Sequence, residues 1–269
     1  MKVVYIYSAG EIASGVAIYL FNAGFNVVMG DRDNPSTVRR FVSFSSAIPL
    51  RGEFTVEGVT GRFVDSVDQM RECFTQRKIA LTINPSLIQE LKPDIIVDAT
   101  ISKCNALHLS TTAAPLVIGL GPELSAGTDC HITVETNRGH DLGRLIFKGK
   151  AEPNTHEPGN IGGFSTERVI RSFTRGVFMS EKHLGEFVKK GDVIGTVSGA
   201  EGVEVINAEI DGLIRGLLID GFEISKQKFK IGDIDPRGDD KYLFTVTDKS
   251  RCIAGAVLNA VMQWVFQNK

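Results

Sequence analysis

The run from residue 2 to residue 31 constrains this chain more than any other stretch. Residues 2–7 are apolar, β-branched and aromatic, and read as a buried strand. Gly10 follows, then Ile12, Val16, Tyr19 and Leu20 recur at helical spacing until Gly24 closes the helix. Residues 25–29 form a second apolar run that ends at Gly30-Asp31. A strand, a glycine turn, a helix and a strand in so short a span make a βαβ unit, and a crossover of that kind imposes parallel pairing.

Downstream, 94–99 (DIIVDA) and 116–120 (LVIGL) read as further buried strands, with shorter ones at 79–83, 132–135 and 144–147. Residues 35–64, where Pro35 and Pro49 bracket one segment and 53–64 alternates like a hairpin, read as an excursion from the sheet. Pro153, Pro158, Gly159, Gly162 and Gly163 mark a linker. Beyond it lies an internal repeat. Gly176-Val177-Phe178 matches Gly212-Leu213-Ile214, and Leu184–Val188 matches Asp220–Ile224 at the same offset. Two copies of this kind bury their apolar faces against each other. The pattern resembles barrel-sandwich hybrid domains of the lipoyl/biotinyl type. Carrier members place a lysine between the halves, and no lysine occurs between Lys190 and Lys226, which argues against a swinging-arm carrier. Residues 249–267 form a closing helix with an Ile253, Val257, Val261, Val265 stripe. The expected class is therefore α/β: a Rossmann-like, mostly parallel sheet over 1–165, a barrel-sandwich-hybrid-like β module over 166–240, and a strand and helix over 241–269 that pack back on the core.

Composition narrows the function classes. A net charge of −2 gives no broad basic surface for nucleic acid. No stretch approaches ~18 uninterrupted apolar residues, and the N-terminus lacks a signal-peptide pattern, so a cytoplasmic protein is expected. The four cysteines are scattered without a CxxC pair and read as reduced thiols. A metal site on Cys104 and Cys130 with His108 or His131 would need convergence in space, and no metal is assigned.

Several motifs can carry chemistry. Ser8-Ala9-Gly10-Glu11-Ile12-Ala13-Ser14-Gly15 stands where dinucleotide folds place a glycine-rich turn, so Gly10 and Gly15 are candidate cofactor-binding residues, with Asp31 where a ribose-reading acid falls. Gly119 and Gly121 form a second glycine turn after a strand. The densest cluster runs from Glu135 to Arg144 and on to Asn154. Arg138 and Arg144 suit a phosphate or carboxylate, Asn154 offers an amide, and His140 with Glu135 forms the candidate acid–base pair. Asp233 and Asp235, in the run K-I-G-D-I-D-P-R-G-D, suit either a cation or an internal ion pair.

Taken together, G-E-I-A-S-G (10–15), Val38-Arg39-Arg40, Val56-Glu57-Gly58-Val59, Asp98-Ala99 with Lys103 and Asn105, Gly119-Leu120-Gly121-Pro122, E-T-N-R-G-H-D-L-G-R (135–144), A-E-P-N-T (151–155) and K-I-G-D-I-D-P-R-G-D (230–239) resemble the selenium-dependent molybdenum hydroxylase accessory protein family. The resemblance implies a maturation factor for a xanthine-dehydrogenase-like enzyme. A nucleotide or molybdopterin dinucleotide would be its ligand, and the hydroxylase client or other maturation factors its partners, with a homo-oligomer also open. The alternatives are an NAD(P)-dependent oxidoreductase and a ligand-free client-binding protein.

Overall fold

The computed structural model describes residues 1–102 and 105–268. The chain divides into two compact units, one of residues 1–35, 43–155 and 246–269, the other of residues 36–42 and 156–245.

The first unit is built on a nine-stranded sheet. In chain order it contains β1 (Val3–Tyr7), α1 (Glu11–Asn22), β2 (Asn26–Gly30), α2 (Ala47–Leu50), β3 (Glu53–Val56), β4 (Val59–Phe63), α3 (Val67–Thr75), β5 (Ile79–Thr82), α4 (Ser86–Leu91), β6 (Ile95–Asp98), β7 (Leu116–Leu120), β8 (Ile132–Val134), β9 (Leu145–Ile146) and α5 (Asp248–Gln267). The strand order is β3-β4-β5-β2-β1-β6-β7-β8-β9. Pairing from β4 to β8 is parallel, and the two outermost pairs are antiparallel. Alternation along β1 sends Tyr5 to a core shared with Met70 and Cys73 of α3 and Leu87 and Ile88 of α4. It sends the fully buried Val4 and Ile6 to the opposite face, where α1 and α5 pack side by side.

The second unit holds two four-stranded antiparallel sheets, assembled from β10 (Val169–Ser172), β11 (Gly176–Ser180), β12 (Phe187–Val188), β13 (Val193–Gly199), β14 (Gly202–Asn207), β15 (Gly212–Leu217), β16 (Phe222–Ile224) and β17 (Phe229–Asp235). Their orders are β10-β17-β15-β12 and β14-β13-β11-β16. The internal repeat is visible in the registers. Val188 of the first copy stands opposite Gly212 of the second, and Ile224 of the second opposite Gly176 of the first. Each copy thus lends its short strand to the other copy's sheet. One mixed core, including Phe178, Ile194, Ile214 and Ile231, fills the space between them.

The expected class, a mostly parallel Rossmann-like sheet with a barrel-sandwich-hybrid-like module, is corrected by this architecture. The large sheet is mixed, because hairpins add antiparallel strands at both margins. One is closed at Glu57-Gly58, both with positive φ (46° and 81°), as a tight two-residue turn requires. The hairpin at 53–64, expected as an excursion, is therefore the edge of the sheet itself: β4 pairs in parallel with β5. The second unit is a pair of separate antiparallel sheets that also takes in residues 36–42, whose Val38 carbonyl accepts from Leu217 N–H at 2.8 Å.

Among the described residues, no helix is long and apolar enough to cross a membrane.

Candidate functional site

Parallel pairing from β4 to β8 brings the carboxyl ends of those strands to one edge, which is where open α/β sheets accept ligands. Both helices of one face begin at this edge. Thr247 caps α5 by accepting from Ser250 N–H (3.3 Å). The Ser250 hydroxyl in turn donates to the Glu11 carbonyl in the first turn of α1 (3.1 Å), and Thr247 N–H donates to Glu11 Oε1 (2.8 Å). The close approach of the helices needs Gly15, where a Cβ would lie 2.2 Å from Ser250 Oγ.

Three charged side chains gather at these helix starts. Arg138, on the loop after β8, grips Asp248 with two parallel hydrogen bonds, Nη1 to Oδ2 at 2.8 Å and Nη2 to Oδ1 at 2.9 Å. That bond, foremost, holds the Arg138 pKa above its ordinary value. Lys249, the next residue, is half-buried, and its ammonium has no hydrogen bond or ion pair among the described residues. Burial pulls its pKa below the ordinary lysine value. Arg138 adds to that shift, while Glu135, Glu11 and Asp248 oppose it. The first turn of a helix is also the wrong end for a cation.

The expected site residues divide into two groups. Glu135 and Arg138 come together here with Lys249. Glu135, however, is buried with both oxygens occupied by backbone donors, Asn137 N–H (2.6 Å) and Glu152 N–H (2.7 Å), so it ties two loops together and serves as a fixed charge. Gly10 is the N-cap of α1, with its N–H on Ser8 Oγ (3.3 Å). Asp31 closes the β1–α1 turn from inside: Oδ2 accepts from Ala9 N–H (2.7 Å) and Oδ1 from Arg32 N–H (2.8 Å), and burial raises its pKa. Gly15 and Gly119 are packing glycines, the second with Leu124 and Cys130 against its α-carbon. Gly121 (φ 110°) turns the chain at the end of β7, donating to Val134 O. His140 is exposed, Arg144 is exposed and 3.5 Å from Asp141, and Asn154 is exposed on the loop that follows. Lys249 escaped the sequence reading. Its signal was a lysine inside a Thr-Asp-Lys-Ser helix start, against the dipole rule.

Asp233 and Asp235, in the second unit, hold guanidinium groups: Arg215 reaches Asp233 (2.9 Å) and Asp235 (3.2 Å), and Arg237 reaches Asp235 (2.7 Å). Among the described residues, no group of three or more His, Cys, Asp or Glu converges as a metal-ligand set. Cys104 and Lys103 lie outside the described residues, and His131 Nδ1 accepts from Val117 N–H (2.9 Å). Two open clefts of the first unit, about 690 and 760 Å³, lie away from Lys249. In the first Arg62 pairs with Glu72, and in the second Asp94 pairs with Lys2.

No family model matches the chain. It is 45% identical over 268 residues to the uncharacterized protein YqeB of Escherichia coli (strain K12), covering 99% of this chain and 48% of that protein. The chain thus spans about half the length of the curated relative it matches. Solved structures with slight likeness include the ectoine utilization protein EutE (DoeB) from Ruegeria pomeroyi, with 13% identity, 87% of each chain and a TM-score of 0.27. An aspartoacylase family protein from Mesorhizobium loti gives 10% identity, 87% of this chain, 84% of that one and a TM-score of 0.27. The succinylglutamate desuccinylase/aspartoacylase from Rhodobacter sphaeroides covers 26% of this chain and 22% of its own, with 15% identity and a TM-score of 0.24.

These findings correct the resemblance to selenium-dependent molybdenum hydroxylase accessory proteins. None of these proteins is described as a maturation factor for such an enzyme: the relative at 45% identity is an uncharacterized protein, and the solved structures bear desuccinylase, aspartoacylase and ectoine-utilization descriptions. The maturation reading does not stand.

Proposed function

We propose that the first unit binds a small carboxylate-bearing ligand at the carboxyl edge of its sheet, on Arg138 and Lys249. The observation that carries this reading is the Arg138–Asp248 fork beside a lysine ammonium with no hydrogen bond or ion pair among the described residues. Asp248 is itself a carboxylate, seated in the geometry that a ligand carboxylate would take. Its side chain is 75% exposed and that of Arg138 41%, so the pair is an exchangeable surface contact of small net worth. Two helix N-termini add partial positive charge at the same place. A second anion near Lys249 would offset burial, the helix dipole and the Arg138 charge at once, all of which disfavour its ammonium.

The test is titration calorimetry with small mono- and dicarboxylates against the wild type and Arg138→Ala. Binding that falls by about tenfold or more without the guanidinium supports the reading. Equal affinity in both proteins contradicts it.

A further inference from the structure

The larger cleft of the first unit, about 760 Å³, lies over β1 and β6 on the face that carries α3 and α4. That volume is ordinary for a small-molecule site. From β1 the sheet grows one way through β2 and the other way through β6, which makes the carboxyl ends of β1 and β6 a topological switch point, where open α/β sheets take ligands. Tyr7 closes β1, stands in register with Asp98 at the end of β6, and lines the cleft.

The lining divides by chemistry. Ile88 of α4, Ile96 of β6, and Ala113 and Ala114 on the segment before β7 give it apolar walls. Two polar groups of the lining, the Tyr7 hydroxyl and the ammonium of Lys92 just past α4, have no hydrogen bond or ion pair among the described residues. Asp94, the carboxylate among the described lining residues, is engaged by Lys2 (3.4 Å) and by Val3 N–H (2.8 Å), so it does not neutralise Lys92. The Tyr7 ring is set edge-on to Tyr5, with centroids 4.8 Å apart. Burial foremost, and then the Asp98 charge, raise the Tyr7 pKa above its ordinary value, which keeps the hydroxyl a donor at neutral pH.

We propose that this cleft is a second ligand site, for a small apolar carboxylic acid. The carboxylate pairs with Lys92 at the rim, the body lies on Ile88, Ile96 and Ala114, and an oxygen at the far end accepts from the Tyr7 hydroxyl. The inference goes beyond the Arg138 reading and stands without it. A cation without a partner selects an anion, and Lys92, being exposed, gives up little hydration to pair with one. The apolar walls favour a hydrocarbon body over a sugar, whose hydroxyls they would leave without partners. From Asp94 to Asp98, the register partner of Tyr7, is about 13 Å of extended backbone, which is room for one ring with a substituent at each end.

The experiment is calorimetric titration of the full chain with 4-acetylphenylacetate, which carries carboxylate, ring and far carbonyl, and with phenylacetate, which lacks the carbonyl. Three variants are titrated in parallel. Ala113 is exposed, so Ala113→Phe fills the cleft without entering the core, and a thermal melt confirms that this variant is folded. It is expected to abolish binding of both acids. Lys92→Gln is expected to weaken both by about threefold or more. Tyr7→Phe is expected to weaken the ketone acid roughly fivefold and to leave phenylacetate unchanged. Absence of binding to the wild type overturns the proposal, as does binding indifferent to Ala113→Phe or to Lys92→Gln. An equal effect of Tyr7→Phe on the two acids overturns it too. Binding that is lost in Arg138→Ala but kept in Ala113→Phe assigns the acids to the other site, which leaves the Arg138 reading standing and removes the cleft.

Discussion

Gly15 of α1 lies against Ser250 of α5 so closely that a Cβ at Gly15 would sit 2.2 Å from the serine hydroxyl. That contact sets where α5 starts, and so where Asp248 and Lys249 stand relative to Arg138. The Gly15→Ala variant is expected to lose about 2 kcal/mol of stability in urea denaturation, the usual cost of overpacking a tight contact. Adding Ser250→Ala removes the hydroxyl and is expected to return part of that loss, with a coupling of about 1 kcal/mol between the two positions. Strictly additive losses would mean that the helices do not touch there.

Gly176 and Gly212, equivalent in the two copies of the repeat, share a φ of 152°. A Cβ would meet Ser198 O at 2.2 Å in one copy and Asp235 O at 2.5 Å in the other. Alanine at either position is expected to cost about 3 kcal/mol, from backbone strain and backbone collision together. Thermal melts of the two variants should shift by similar amounts. A large shift for one and none for the other would break the symmetry argument.

Asp233 is fully buried, and Lys230, Arg215 and Arg39 hold its carboxyl well below the usual carboxylate range against the cost of burial. Its folded pKa is depressed, so it contributes stability above the unfolded value of about 3.9 and loses it as pH falls toward the folded value. The wild type is expected to weaken steeply below about pH 4. Asp233→Ala should cost about 3–5 kcal/mol at neutral pH, because Arg215 is left buried without that partner, and should flatten the acid limb of the stability curve. An unchanged acid limb would show that Asp233 carries no linked proton.

Lys249 has the opposite linkage. Its folded pKa is lowered, so between that value and about 10.4 the unfolded chain holds the proton more tightly, and stability rises with pH across that window. Lys249→Met keeps the apolar stem and removes the charge. It should gain about 0.3–1 kcal/mol at neutral pH, the ordinary effect of taking a cation from a helix start, and abolish the rise. A loss of stability instead would show that the ammonium is paired in solution.

The strands of the first unit were legible because each parallel strand is buried on both sides and reads as an apolar run, as 95–98 and 116–120 do. The repeat was legible from Gly176 and Gly212, which the backbone geometry requires at equivalent points. The margins were not: Thr60 and Arg62 of β4 are polar enough to hide an edge strand, and β9 is two residues long. Residues 36–42 join the second unit through main-chain and arginine contacts, such as Arg40 Nε to Leu217 O (2.9 Å), which leave no periodic signature. In the candidate site, Arg138 and Glu135 stood out as part of a polar cluster. Asp248 and Lys249, over a hundred residues further on, looked like the solvated start of a helix. Their meaning comes from the packing of α5 on α1, which no local pattern encodes. Gly15 and Gly119 show the same limit, since a glycine pressed by a neighbour's side chain looks the same in sequence as one demanded by a ligand.

Calorimetric titration of small carboxylates into the wild type and Arg138→Ala tests the central claim most directly. Saturable binding to the wild type, with an affinity about tenfold or more weaker in the variant, is the result this structure leads us to expect. Identical heats in the two proteins, or none in either, would contradict it.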